Sequence, residues 1–170
     1  DTAIETLADE GTEGWVENSG PGSVLIQAGT GGAAYGIENV ASGAGSKGTI
    51  SKETGGTLTI RGGSDERSYG IWRNSHSSGT SGTISNKSTG SLIIEGGENG
   101  SGIEQNAVSY GSGEIVNAGS GSLTIQAGHA PGLRVNAYEG GVGLVANEAE
   151  GDLLIAGGSK SSAIGIHMNA

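Results

Sequence analysis

The sequence predicts an all-β fold, a right-handed parallel β-helix (solenoid) with three short strands in each coil and about five coils of 30–34 residues. Three observations predict it: aliphatic segments recur at a nearly constant interval, their hydrophobic residues alternate with polar ones, and glycine supplies 36 of the 170 residues. Alternation with a period of two indicates half-buried strands. Units of this length, too small to bury a core alone, are typical of solenoids in which each coil packs on the next.

The clearest repeated segment has the form Gly-x-Leu/Val-x-Ile followed by small residues. We call it the second segment of the repeat. Its terminal isoleucine recurs at intervals of 34, 34, 31 and 30 residues, at Ile26, Ile60, Ile94, Ile125 and Ile155. In this segment Leu58 and Ile60 flank Thr59, and Leu123 and Ile125 flank Thr124. This pattern predicts a strand with one buried face.

Two further segments complete each repeat. The first segment lies ten residues before the second in all five copies and is centred on Val16, Ile50, Ile84, Ile115 and Val145. The third segment pairs a small residue with an aliphatic one, has an Asn nearby, and is marked by Ile37, Ile71, Ile103, Leu133 and Ile166, with a truncated copy at Ile4. Fixed spacing argues against a flexible linker. The frequent glycines argue against an α-helix, since each glycine in a helix interior would cost about 1 kcal/mol.

Stacking of these segments defines the domain organisation. We expect each strand to pair in parallel with its equivalent one coil on, about 4.8 Å away, and the coil to be right-handed, because parallel crossovers nearly always are. We interpret 1–170 as a single β-helix fragment, with a partial coil at 1–11 and repeats that start near 12, 46, 80, 111 and 141. The chain stops within the pattern and shows no amphipathic cap helix, so we expect it to be part of a longer array.

Composition excludes several classes of function. The net charge is −10, and the first 46 residues hold seven acidic residues and no Lys or Arg, so nucleic acid is not an expected partner. Without cysteine there is no disulfide or thiolate metal site. No apolar run is long enough to span a bilayer, so direct membrane insertion of this segment is not expected. Phosphate-loop, zinc, EF-hand and calcium nonapeptide motifs are absent, and no metal or cofactor is expected.

Two rows of equivalent side chains follow from the stacking. Asn occurs two residues after the centre of the first segment in four of five copies, with Lys52 at the remaining place. We expect these residues to form a turn-stabilising amide ladder, the alternative being a ligand-binding row: Asn18, Asn86, Asn117 and Asn147. The outward residues of the second segment form a mildly apolar stripe that is either covered by another segment or used in self-association: Leu25, Thr59, Ile93, Thr124 and Leu154.

The most suggestive row for chemistry is the outward position of the third segment, one residue after its core aliphatic. It begins at Glu5 and continues through the candidate ligand- or partner-binding residues Glu38, Trp72, Glu104, Arg134 and His167. An acid/base set within this row and an ordinary face of alternating charge are the alternatives. Trp72 would either stack on a sugar ring or pack under its own loop. Trp15 is expected to cover the core near one end.

Loops of varying length should emerge along two edges of the solenoid. One set joins the second segment to the third, at 30–35, 64–69, 98–101, 129–131 and 159–163, and another joins the third to the first, at 41–48, 75–82, 107–113 and 137–143. Recognition usually lies in loops held on a rigid scaffold. These loops are therefore expected to contribute to partner binding.

The repeats GTISNKSTGSLIIEGG (82–97) and GEIVNAGSGSLTIQAG (113–128) resemble those of passenger domains of Gram-negative autotransporter adhesins. The resemblance lies in glycine-rich, cysteine-free coils with an L-x-I core strand and Asn-bearing turns, and it covers nearly the whole chain. It implies a segment excised from a longer passenger, secreted and displayed at the bacterial cell surface and outer membrane, with roles in virulence, adhesion, aggregation or biofilm formation. The translocator barrel of that family is not in this sequence.

The leading functional hypothesis is a non-enzymatic adhesin or self-association segment. Its partner would be a host-cell surface protein, a glycan or another copy of the chain. A carbohydrate-active β-helix, either a polysaccharide lyase or a hydrolase, is the second hypothesis, with Trp72, Glu104, Arg134 and His167 near the substrate. A structural stalk that spaces another domain from the membrane is the third.

Overall fold

A computed structural model describes residues 2–30, 32–64, 67–159 and 164–169. The regular secondary structure in these ranges is β-strand throughout, arranged as three parallel sheets. Over the same ranges, nothing helical has the length and apolar character needed to cross a bilayer.

The first and second segments of the repeat each form a five-stranded sheet. The first sheet contains β2 (Glu13–Asn18), β5 (Lys47–Lys52), β8 (Ser81–Asn86), β11 (Ser112–Asn117) and β14 (Val142–Asn147). The second sheet contains β3 (Val24–Gln27), β6 (Thr57–Arg61), β9 (Ser91–Glu95), β12 (Ser122–Gln126) and β15 (Asp152–Ala156).

The third segment forms a six-stranded sheet, because the truncated copy at the start of the chain contributes a strand. This third sheet contains β1 (Ile4–Ala8), β4 (Ile37–Ala41), β7 (Ile71–His76), β10 (Ile103–Val108), β13 (Leu133–Ala137) and β16 (Ile166–Met168). Each strand therefore pairs with its equivalent one coil away, and the predicted parallel solenoid of about five coils with three strands per coil is confirmed.

The register is the one that the repeat predicts. Ile50 pairs with Ile84 in the first sheet, Ile60 with Ile94 in the second and Ile71 with Ile103 in the third. These side chains are fully buried, and with Leu58, Leu92 and Leu123 they belong to one continuous core that runs along the axis. Equivalent aliphatic residues thus pile on one another, and each coil supplies the cover that its neighbours lack.

Trp15 is an exception to the expected burial. It is 69 % exposed, so the expectation that it covers the core is wrong. Val16 points inward in β2, and because successive strand residues face opposite sides, Trp15 lies in the outward row beside Thr49.

A glycine row allows close packing where the third sheet turns into the first. The second residue of every first-sheet strand is glycine, and a Cβ added there would lie 1.9–2.1 Å from a carbonyl oxygen at the end of the preceding third-sheet strand. No side chain fits such a distance, so these positions require glycine: Gly14, Gly48, Gly82, Gly113 and Gly143.

The predicted Asn row lies in register but acts mainly on turns. Asn18, Asn86 and Asn147 donate to the carbonyl oxygen four residues later, at Gly22, Gly90 and Gly151, over 3.0, 3.1 and 2.8 Å. Asn117 also donates to Asn147 Oδ1 over 3.0 Å. The row therefore closes the turn that follows each first-sheet strand, and an amide-to-amide bond joins its last two members.

A continuous amide ladder lies elsewhere, in the third sheet. Asn74 donates to Asn106 Oδ1, Asn106 to Asn136 Oδ1 and Asn136 to Asn169 Oδ1, over 2.8, 2.8 and 2.7 Å. Asn74, Asn106 and Asn136 also donate to the backbone carbonyls of Gly82, Gly113 and Gly143, which belong to the glycine row described above. In the preceding coil Val40 occupies the equivalent place. The ladder satisfies buried amides and ties four successive coils together.

Lys52 takes the place of Asn in the predicted row and is fully buried. Its three N–H groups are shared among four backbone carbonyl oxygens, those of Asn18, Gly20, Thr54 and Gly55, at 3.3, 3.4, 2.5 and 2.6 Å from Nζ. A buried charge is tolerated only when it is hydrogen-bonded or paired. The carbonyls of two adjacent turns thus replace water around this cation.

We expect Lys52→Met to lower the free energy of unfolding by about 2–4 kcal/mol, because carbonyls in a buried turn lose their donor. Lys52→Asn should cost less, since Asn serves the same turn in four other coils. Urea unfolding followed by circular dichroism measures both variants. Equal stability of the Met variant and the parent chain would contradict the structural role of the ammonium.

Candidate functional site

The outward row of the third sheet places the predicted binding residues side by side. Pairing of the strands puts Glu38, Trp72, Glu104, Arg134 and His167 in successive coils, about 4.8 Å apart. Their exposure differs widely: Glu104 is buried, Glu38 and Trp72 are half-buried, and Arg134 and His167 are exposed. The outward row of the third sheet is therefore not a uniformly exposed, charged face.

Glu104 and Arg134 form an ion pair across adjacent coils, through Oε1 of the carboxylate and Nη1 of the guanidinium. The Ser101 hydroxyl donates to the other carboxylate oxygen over 3.2 Å. The hydrogen bond from Arg134 to Glu104, together with the charge of that carboxylate, raises the pKa of Arg134. The Glu104 side chain is 6 % exposed and that of Arg134 48 %. The structure thus brings two of the predicted residues into contact, with the guanidinium as the accessible partner.

Trp72 packs against protein groups. Its indole stacks on Tyr35 with ring centroids 5.0 Å apart, and the Arg73 guanidinium lies 3.7 Å from its ring centroid. Tyr35 in turn stacks almost parallel on Tyr69, at 5.6 Å and 7°. Trp72 therefore packs on a tyrosine of the preceding coil and on the adjacent Arg73, and no contact with its own loop is among these.

Tyr35, Tyr69 and Arg73 are site residues that the sequence reasoning missed. A signal was present, because Tyr-Gly-Ile opens the third segment in two consecutive repeats, at 35–37 and 69–71. Parallel pairing makes equivalent aromatic residues stack, as it does the core aliphatics. Burial raises the pKa of both tyrosines above the ordinary value of a phenol.

A depression of about 470 Å³ opens beside the ion pair. It spans three coils. Described residues of the predicted loops at 64–69, 98–101 and 129–131 line it, together with Glu104 and Arg134 of the outward row. The lining residues combine aromatic, hydroxyl, amide and charged groups: Arg67, Tyr69, Asn99, Ser101, Glu104, Ala130, Pro131 and Arg134. Small-molecule sites commonly have this size, but this lining is more polar and charged than is usual for them. The expected loop at 159–163 lies mostly outside the described residues.

The predicted association stripe crosses the outer face of the second sheet. Leu25 and Leu154 are 57 % and 52 % exposed, while Thr59, Ile93 and Thr124 are half-buried. Beside it runs a polar row in which Glu95 pairs with Arg61 and accepts a 2.6 Å hydrogen bond from Gln126. Apolar exposure is therefore greatest at the two ends of the stripe.

The strands, their register and the depression define the chain as a parallel β-solenoid with a candidate binding face. Comparisons with protein-family models, with curated proteins and with solved structures found no match. Among the residues whose placement is described, no three His, Asp or Glu side chains come together in an arrangement suited to a metal ion.

Proposed function

We propose that this chain is a non-enzymatic adhesin segment of the bacterial cell surface, which binds a glycan or protein on another cell. The observation that supports this proposal is the depression formed by three successive coils, with the Glu104–Arg134 pair and the Tyr69 ring in its lining. A rigid solenoid that holds loops in fixed positions suits recognition. The resemblance of the repeats to autotransporter passengers supports secretion and surface display.

The net negative charge of the chain limits the kinds of partner that it can bind. A chain with net charge −10 repels polyanions, so nucleic acid is not proposed as a partner. Self-association through the second-sheet stripe is a second mode, favoured by the exposure of Leu25 and Leu154. Sedimentation over a range of protein concentrations tests that mode directly.

The ion pair argues for binding over catalysis. Glycoside hydrolysis generally needs two carboxylates at a defined separation, one as acid and one as base or nucleophile. Both oxygens of Glu104 are engaged, by Arg134 and Ser101, and Glu38 lies two coils away with Trp72 between them in the row. A carbohydrate-active β-helix remains the competing function, because a buried carboxylate lines the depression.

We expect Tyr69→Ala to weaken binding to cells or glycans about tenfold or more, equivalent to at least about 1.4 kcal/mol. The reason is that the ring lines the depression and is held by Tyr35. Binding of the purified chain to epithelial cells and to a glycan array measures the effect, with thermal unfolding as the check on folding. Tyr138→Ala is the matched control, since Tyr138 is 54 % exposed and outside the depression.

Three outcomes would contradict the proposal. Binding that is unaffected by Tyr69→Ala would place the site elsewhere. Turnover of a polysaccharide that Glu104→Gln abolishes would favour the enzyme. Failure of the parent chain to bind cells, glycans or itself would favour a structural spacer.

A further inference from the structure

Among the described residues that line the depression, the charged groups that a ligand can reach are positive. Of the ion pair, the carboxylate of Glu104 is buried and the guanidinium of Arg134 is half exposed, so solvent reaches the cation and not its partner. Arg67, which is exposed, lines the same depression. Among the described residues that line the depression, this gives two guanidinium groups against one carboxylate that is already hydrogen-bonded at both oxygens. A basic recess on a chain of net charge −10 favours a ligand that carries negative charge.

The remaining lining suits a ring with hydroxyl groups. Tyr69 and Pro131 contribute flat apolar surface, and Tyr35 fixes the Tyr69 ring by stacking on it. Ser101 is fully buried and its hydroxyl donates to Glu104, so it supports the carboxylate and is not available to a ligand. Aromatic faces combined with a few placed polar groups orient small ligands in concave sites. Guanidinium forks match carboxylates through paired hydrogen bonds.

We infer that the depression binds an acidic saccharide, with a sugar carboxylate on Arg134 and Arg67 and the sugar ring against Tyr69 and Pro131. This inference rests on the proposed binding function and names its ligand class. A sugar with isolated carboxylates fits better than a densely charged polymer, because the rest of the chain is acidic and repels extended polyanions.

A matched pair of probes tests the inference. Methyl β-glucuronide and methyl β-glucoside differ in a carboxylate against a hydroxymethyl group, and their binding to the intact chain is measured by NMR titration. At low salt the glucuronide should bind about tenfold or more tightly than the glucoside. The preference should shrink at about 0.5 M NaCl, because salt screens exposed charges.

Two arginine variants locate the effect. Arg134→Gln and Arg67→Gln should each reduce glucuronide affinity about fivefold or more and leave glucoside binding nearly unchanged. Arg134 also neutralises the buried Glu104 carboxylate, so Arg134→Gln could unfold the chain. In that case Arg134→Lys, which keeps the charge, and Arg67→Gln, which leaves the ion pair intact, test the same inference. Arg61→Gln is the control, because Arg61 pairs with Glu95 on the second sheet and its loss should not change glucuronide binding.

Equal affinity for both sugars, or no binding of either, would overturn the inference. N-acetylglutamate that binds as tightly as the glucuronide would overturn its saccharide part and favour an acidic peptide. Adhesion assays separate these results from failure of the proposed function. Cell binding that excess glucuronide does not inhibit would refute the ligand class alone, whereas glucuronide binding by a chain that adheres to no cell would refute the adhesin proposal alone.

Discussion

Gly113→Ala is expected to destabilise the solenoid by about 3 kcal/mol, close to the upper range for overpacking. A Cβ at this position would lie 2.1 Å from the Asn106 carbonyl oxygen and 2.6 Å from its carbonyl carbon. Backbone atoms form this contact, so no side chain can rotate away to relieve it. The strand would have to shift and would strain its pairing with both neighbouring coils. Urea unfolding monitored by circular dichroism measures the change.

Gly22→Ala is the control for that substitution. A Cβ at Gly22 would meet no heavy atom within 4 Å, so the change should be nearly neutral in stability. Similar losses from the two alanines would show that glycine matters here through chain flexibility and not through the corner contact. That result would contradict the close-packing argument.

Asn106→Val should cost about 2–5 kcal/mol, because it breaks the amide ladder in its middle. Three hydrogen bonds would be lost. Asn74 would lose its acceptor at Asn106 Oδ1, and Asn136 Oδ1 would lose its donor. The Gly113 carbonyl would lose the bond that it accepts from the Asn106 amide. An unsatisfied buried polar group costs about 1–3 kcal/mol. Valine is close to asparagine in size, so packing changes little and the polar effect dominates.

Asn74→Val is the matched comparison and should cost clearly less. Asn74 is the first member of the ladder, and its Oδ1 is buried without a donor among the described residues, so the substitution also removes an unsatisfied acceptor. The coil before it already holds Val40 at the equivalent place, fully buried. The free energies of unfolding of the two variants check the order. A larger loss for Asn74→Val than for Asn106→Val would contradict the ladder.

The repeat pattern predicts the architecture well because stacking imposes it. Aliphatic residues such as Ile60 and Ile94 recur at one interval only if they occupy equivalent places in successive coils, and this fixes parallel pairing and register together. The outward row that contains Glu104 and Arg134 follows directly from that register. Both the fold and the neighbours within the row could therefore be predicted from spacing alone.

The amide ladder could not be predicted because burial along the third-sheet strands does not alternate there. Alternation from Ile71 makes Trp72 outward, Arg73 inward and Asn74 outward. In the structure Trp72 and Arg73 are both half-buried and in contact, and Asn74 is buried. The burial pattern of this strand therefore breaks the period of two. The Asn row in the first segment keeps simple alternation, so it was the easier one to recognise.

Only part of the candidate site could be predicted from the sequence, and the reason is related. Register places Trp72, Glu104 and Arg134 together, but the burial of Glu104 and the contact of Trp72 with Tyr35 depend on the paths of loops of unequal length. Loop paths are not set by a period. The position of aromatic and charged residues in the repeat indicates that they lie near the third sheet. Only the three-dimensional structure shows which of them a ligand can reach.

The third-sheet amides give the rod a built-in polarity. Every side-chain amide from Asn74 to Asn136 donates toward the later coil, so their dipoles add head to tail instead of cancelling. Hydrogen bonds arranged in series polarise one another. The two ends of the column are consequently inequivalent electrically, because the Asn74 Oδ1 at the Val40 side has no donor among the described residues. A coil inserted in the reverse sense would place oxygen against oxygen.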